Sequence, residues 1–204
     1  IHKISAKNIK KKRGIKFPKK MMEKNISNII NDPKIDIIVE LIGGADGVAK
    51  RVVFDSLKKS KHVVTANKAL IAKHGDTLSL LAEKYSVNLL FEAAVGGGIP
   101  IIRSMKQGLI ANKLSHIYGI LNGTTNFILT EMEKRNEGFA KILKDAQKLG
   151  YAEKNPSSDV DGYDAADKIP ILSSIGFGTK IINKGFIIEG IRNIDLEDIK
   201  FAKS

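Results

Sequence analysis

The sequence contains neither cysteine nor tryptophan. Without cysteine there is no disulfide framework and no thiolate chemistry, which fits a cytoplasmic protein. Histidine is sparse: His2, His62, His74 and His116 lie far apart, and none has a partner at metal-ligand spacing, which argues against a zinc site. No apolar run approaches the roughly 18 to 20 residues that cross a bilayer. The start, Ile1-His2-Lys3, offers neither an initiator methionine nor the charged-then-apolar pattern of a signal peptide. A Gly-x-Gly-x-x-Gly turn after a first strand, the seat of a pyrophosphate on a helix N-terminus, is missing as well. Internal repeats are absent, and the Lys-rich start is the only biased segment.

What remains is an ordinary globular composition: 204 residues, 43% hydrophobic and 27% charged, enough for one large domain or two small ones. The formal charge of +12 is unevenly spread. Between Lys3 and Lys24 ten Lys or Arg (Lys3, Lys7, Lys10, Lys11, Lys12, Arg13, Lys16, Lys19, Lys20, Lys24) face one acid, Glu23. Such a run can attract polyanions. Phe17 is the sole aromatic residue there, so a solvated Lys-rich loop is the reading we favour.

The β-branched run Ile35–Ile42 ends at Gly43-Gly44 and reads as a buried strand. Asp46 can cap a helix running to about Lys59. The strand His62–Thr65, a helix over Asp76–Tyr85 and a strand over Val87–Phe91 follow, the last stopping at Val95-Gly96-Gly97-Gly98. Alternating strands and helices imply right-handed crossovers and a parallel sheet, whose ligands gather at the carboxyl ends of the strands. Gly43-Gly44, Asn67-Lys68 and Glu92–Gly98 all fall at such ends. Beyond Pro100 the pattern predicts a helix over Ile101–Leu109, a strand over Lys113–Ile120, and helices over Asn126–Lys134 and Gly138–Leu149. An acidic loop over Gly150–Gly162, a helix over Tyr163–Ile175 and a strand over Lys184–Ile191 complete it.

Five stretches, in order, carry a resemblance: Val39-Glu40-Leu41-Ile42-Gly43-Gly44; Val64-Thr65-Ala66-Asn67-Lys68-Ala69-Leu70; Phe91-Glu92-Ala93-Ala94-Val95-Gly96-Gly97-Gly98-Ile99-Pro100-Ile101; Gly119-Ile120-Leu121-Asn122-Gly123-Thr124-Thr125-Asn126-Phe127-Ile128; and Leu149-Gly150-Tyr151-Ala152-Glu153 running through Asp159-Val160-Asp161-Gly162 to Asp164-Ala165-Ala166 and Lys168. Together they resemble homoserine dehydrogenase, which interconverts aspartate-4-semialdehyde and L-homoserine with a nicotinamide cofactor. The resemblance implies an α/β chain: a partial Rossmann-like parallel sheet over residues 1–98 and an α+β substrate-binding and dimerisation domain over 99–204. It further implies a homodimer. The missing glycine-rich turn, and the lack of the family's C-terminal glycine-rich segment, imply a fragment with little activity of its own.

Aldehyde reduction needs a group that protonates the developing alkoxide, and the reverse reaction needs a base. A lysine serves both when burial or a nearby cation eases its deprotonation. Asp164 and Lys168, four apart on a predicted helix, share a face; position alone makes them a surface ion pair. The resemblance instead makes Lys168 the proton-transfer lysine and Asp164 a substrate-holding carboxylate. It makes Glu153 a second substrate carboxylate, with Asp159 a supporting acid that could equally cap a turn. Acids around one pocket suit a substrate bearing an α-ammonium group. Lys68, by position a helix-start lysine, is placed by the resemblance against cofactor and substrate. Ile42, Gly43, Gly44 and Gly150 would border the cofactor, although turn geometry alone also accounts for the glycines.

The glycine run at 96–98 reads as a turn or a phosphate cradle. The resemblance adds a structural monovalent cation, sodium, on Glu92, Val95, Gly97 and Ile99, since carbonyls plus one acid suit a hard, weakly bound ion. His2–Asn8 resembles the family's second sheet strand. It is followed by Lys7 and Lys10–Arg13 rather than an acid, which leans toward NADP over NAD. Two readings compete with the enzyme: a non-catalytic dimerising remnant, against which the intact Lys68, Glu153, Asp164 and Lys168 argue, and a basic nucleic-acid-binding protein acting through Lys3–Lys24.

Overall fold

A computed structural model describes residues 1–8, 14–15 and 17–202. The chain is α/β and divides into two compact units, Ile1–Ile101 and Ile102–Ser204.

The first unit is built on β1 (Ile37–Glu40), β2 (His62–Thr65) and β3 (Leu89–Leu90), parallel and adjacent in chain order. Ile38 pairs with Val63, Glu40 with Thr65 and Val64 with Leu90. Preceding them is α1 (Ile26–Asn31); α2 (Val48–Lys58) and α3 (Lys68–Lys84) make the two crossovers. The spacing of Ala49, Val52, Val53, Ser56 and Leu57 puts a buried stripe on α2, as a 3.6-residue period requires. Leu70, Ile71, Leu78 and Ala82 do the same for α3. Burial alternates strictly: Ile38, Glu40, Val63 and Thr65 are buried, whereas Ile37 and Val39 are 56% and 62% exposed. Parallel sheets ordinarily have both faces covered; among the described residues one face of this one is open. Lys61 anchors the entry to β1, its buried ammonium donating to the carbonyls of Asp32 and Ile35.

In the second unit, α4 (Ile101–Arg103) opens into a wide turn over Ser104–Gly108. Then come α5 (Gly123–Arg135), α6 (Phe139–Leu149), the single turn α7 (Ser157–Val160), α8 (Tyr163–Phe177) and α9 (Leu196–Phe201). Ile128 and Met132 of α5 interlock with Ile142 and Ala146 of α6, Ala152 and Val160 in one core.

Several local expectations are corrected. Asp46 does not cap α2; Gly47 occupies that position without a side-chain bond, and Asp46 instead pairs with Lys73, His74 and Lys50. The helix expected from Asp76 begins at Lys68, because Asn67 caps it and Gly75 sits buried inside it rather than interrupting it. The helix expected over Ile101–Leu109 widens at Ser104. The strands expected over Lys113–Ile120 and Lys184–Ile191 form no ladder among the described residues: alternation marks a two-faced segment but does not supply a partner strand. In place of a sheet strand, His2–Asn8 makes a parallel bridge between Ile4 and Met22 among the described residues. Of the residues on which the NADP leaning rests, Lys7 is described and exposed, whereas Lys10–Arg13 lie outside the described residues.

Candidate functional site

The parallel strands of the first unit end on one edge, and a buried carboxylate organises it. Glu40, the last residue of β1, is 1% exposed. Its Oε1 accepts the backbone N–H groups of Ile42 at 2.6 Å and Gly43 at 3.1 Å, while Oε2 accepts the Thr65 hydroxyl at 2.6 Å. Thr65 Oγ1 in turn accepts the Asn67 N–H at 3.0 Å. Asn67 closes the circuit: its amide donates to the Gly44 carbonyl at 2.8 Å and its Oδ1 caps α3 at Leu70 N–H, 3.2 Å. One hydrogen-bonded chain therefore fixes the turn after β1, the end of β2 and the start of α3. Lys68, the first residue of α3, is half-buried beside it.

Gly43 and Gly44 have φ of +84° and +82°, and a Cβ on either would meet nothing within 4 Å. The backbone is thus left-handed and bare, a combination that lets a flat or charged ligand approach the main chain closely. Ile42, Gly43 and Gly44 are exposed at the carboxyl edge, where parallel sheets bind nucleotides; the residues present fit a dinucleotide there.

After β3, Glu92–Ala94 make a tight turn and Gly96 N-terminally closes a second one, its carbonyl accepting Ile99 N–H at 2.7 Å. The Glu92 carbonyl accepts Val95 N–H at 3.3 Å and the Ile99 carbonyl accepts Ile101 N–H at 2.8 Å. Each of these carbonyls keeps a second lone pair beyond its backbone bond. No group of three or more His, Cys, Asp or Glu able to hold a metal occurs among the described residues.

The second unit brings Asp159, Asp164 and Lys168 together. Lys168 Nζ donates to Asp164 Oδ2 at 2.5 Å and to the Leu121 carbonyl at 2.6 Å. The two side chains are 14% and 10% exposed, so the pair is enclosed and not a solvated surface bridge. Asn122 Nδ2 donates to Asp159 Oδ1 at 2.7 Å and to Asp164 Oδ2 at 2.8 Å. Its Oδ1 accepts Thr125 N–H at 2.8 Å and so caps α5.

The supports of this cluster are backbone contacts too tight for side chains. A Cβ on Gly190 would lie 2.4 Å from the Val160 carbonyl oxygen and 2.6 Å from Asp161 Cα. Ile191 N–H donates to Val160 O at 2.8 Å, and Arg192 grips Asp161 through its guanidinium. The Arg192 hydrogen bond holds the Asp161 carboxyl below its ordinary range and raises Arg192 in return. The segment around Gly190 thereby clamps the turn between Asp159 and α8.

Gly150 ends α6 in left-handed conformation. Thr124 Oγ1 donates to the Tyr151 carbonyl at 2.8 Å, and Phe127 stacks on the Tyr151 ring at 4.3 Å. Gln147 donates to the carbonyls of Glu153 and Lys154. These bonds fix the Glu153 backbone; its side chain is exposed and stands outside the network around Lys168. Sequence reasoning placed Asn67 at a ligand-gathering strand end without giving it a role, and missed Glu40, Thr65, Leu121 and Asn122 as site-builders. A lone acid closing a β-branched run was the available signal for the first, and an Asn before Gly-Thr-Thr for the last.

Two family models match: "Homoserine dehydrogenase" over residues 100–204 and "Homoserine dehydrogenase, NAD binding domain" over residues 1–92. A curated homoserine dehydrogenase from Synechocystis is 45% identical over 199 residues, covering 98% of this chain and 46% of the relative. The crystal structure of a homoserine dehydrogenase from Thiobacillus denitrificans superposes with a TM-score of 0.86 at 46% identity, over 89% of this chain and 42% of that one. A hyperthermophilic archaeal homoserine dehydrogenase in complex with NADPH gives 0.74 at 29% identity, over 83% and 52%. The chain spans about half the length of the curated relatives it matches.

Proposed function

Since the chain belongs to the homoserine dehydrogenase family, we propose that the whole protein interconverts L-homoserine and L-aspartate-4-semialdehyde. The carrying observation is the enclosed Lys168–Asp164 pair, an amine anchored on two acceptors inside a carboxylate cluster. Bound NADP or NAD supplies the hydride carrier. In the reductive direction the Lys168 ammonium gives a proton to the alkoxide oxygen that forms as the aldehyde carbon gains hydride; in the oxidative direction the amine takes that proton back. Asp164 at 2.5 Å and the Leu121 carbonyl at 2.6 Å hold the nitrogen in place throughout. Asp164, Glu153 and Asp159 would attract the α-ammonium group of the substrate.

Ile42, Gly43, Gly44 and Lys68 would hold the dinucleotide, the first three through exposed backbone and Lys68 through charge. NADP is the reading favoured here, supported by the NADPH complex of the archaeal relative and by the basic residues after Asn8. A sodium ion on Glu92 and the carbonyls of Val95, Gly97 and Ile99 would brace the loop that follows β3 and take no part in the chemistry. Association into a homodimer is supported by the apolar exposure of Tyr118 and Ile187, each 93%, and Ile120, 77%, on two alternating segments, surfaces of the kind that mark interaction sites. The open face of the β1–β2 sheet is where we place further chain of the longer protein.

The test is homoserine-dependent formation of NADPH or NADH by the full-length protein, read by absorbance of the reduced nicotinamide. Saturable turnover with homoserine and none with serine supports the reading. Equal rates with and without homoserine refute it.

A further inference from the structure

Asn122 holds two carboxylates and a helix end with one side chain. Its Oδ1 accepts Thr125 N–H, which fixes which end of the amide is oxygen; reversing it would set an oxygen against both carboxylates. Both protons of Nδ2 are therefore committed, one to Asp159 and one to Asp164. The adjoining residue, Leu121, gives its carbonyl to Lys168. Asp164 Oδ2 thus receives Lys168 and Asn122 at once, at 2.5 and 2.8 Å.

We propose that Asn122 is a positioning residue for the Lys168–Asp164 pair, its amide orienting the Asp164 carboxylate and separating it from Asp159 while its own backbone neighbour holds the lysine. The proposal rests on the dehydrogenase reading given above. Capping α5 does not require asparagine, because aspartate and serine cap about as well. Bridging two carboxylates does require it: serine brings one donor on a shorter arm, and aspartate brings none and adds a third negative charge. Without the amide, Asp164 loses one of the donors that set its orientation, and Lys168 loses the fixed direction of one of its anchors. Displacement of a reacting group by about 1 Å costs on the order of 10²-fold in rate.

The cap-preserving variants Asn122→Ser and Asn122→Asp, made in the full-length protein, separate the two roles. Expected for both is a fall in kcat/KM for homoserine, roughly 10- to 100-fold for serine and more for aspartate. The KM for NADP should stay within about two-fold and the melting temperature within about 3 °C, since the cap survives. A serine variant with wild-type kcat and homoserine KM overturns the proposal, whatever aspartate does. So does a rate loss that disappears once rates are expressed per folded, NADP-binding molecule, because that is what a purely structural cap would give. Wild-type protein without homoserine-dependent turnover would instead refute the dehydrogenase reading itself, before any variant is compared.

Discussion

Replacing Glu40 should loosen the cofactor edge in a graded way, and the grading can be worked from its partners. Its carboxylate receives two backbone N–H groups and one hydroxyl. In Glu40→Ala, the N–H groups of Ile42 and Gly43 lie on exposed residues and can turn to water. The Thr65 hydroxyl, on a residue 1% exposed, cannot. An unsatisfied buried hydroxyl costs about 1–3 kcal/mol, and the lost charge-assisted bonds add roughly 1 kcal/mol net, so the alanine variant should lose about 2–4 kcal/mol. Glu40→Gln keeps Oε1 on the two N–H groups but puts an amide donor where Thr65 donated, so the buried Thr65 O–H loses its acceptor; about 1–2 kcal/mol is expected. Urea unfolding followed by circular dichroism measures both losses, with an unchanged slope as the sign that only stability moved. The KM for NADP should rise in the same order, since the turn at Gly43 is released. Burying an acid has its own cost, so the reasoning has a clear point of failure. A glutamine variant as stable as wild type, or an alanine variant within 0.5 kcal/mol of it (roughly the noise of such data), would refute it.

Other outcomes follow from single contacts. Ile142→Ala empties a fully buried position between Ile128, Met132 and Ala146 and should cost about 2–5 kcal/mol in the same urea assay. Gly190→Ala drives a methyl into the Val160 carbonyl; the turn beside Asp159 must move, so homoserine KM should rise at least several-fold, while Gly97→Ala, whose Cβ meets nothing, should leave it unchanged. Asp161, held below its ordinary value near 3.8 chiefly by the Arg192 hydrogen bond, contributes stability that is fully present above that value and is lost as pH falls through its lower folded value. Asp145 and Glu137, depressed by Arg135 and Lys141 first of all, act in the same direction. Thermal midpoints should therefore stay flat from neutral pH down to about 5 and fall below about 4, with Arg192→Ala removing part of the fall.

The helical half of the architecture was largely legible, and the reasons are local. The ends of β2, at His62 and Thr65, follow from a short β-branched run between Lys61 and Ala66. Helix α6 shows its apolar stripe plainly and stops at Gly150. The start of α3 was hidden because Gly75 looks like a breaker, whereas burial of that glycine and the Asn67 cap override its propensity. Pairing was the other blind spot: Tyr118 and Ile187 alternate as strand residues do, yet a ladder needs a second strand that local pattern does not supply. At the site, the spacing of Asp164 and Lys168 predicted a shared face, which the structure bears out at 2.5 Å. Their enclosure was not readable, because it depends on Leu121 and Asn122 arriving from more than forty residues upstream.

In the proposed chemistry the nitrogen of Lys168 moves a proton at the substrate oxygen. The most direct measurement of that role is homoserine oxidation by full-length Lys168→Ala, with and without added methylamine. The account predicts a kcat lowered by about 10² to 10⁴-fold, a KM for NADP near wild type, and partial recovery that rises with the concentration of free amine. Wild-type kcat in the alanine variant would contradict it, as would a loss that no amine restores while a serine at the same position works as well as lysine.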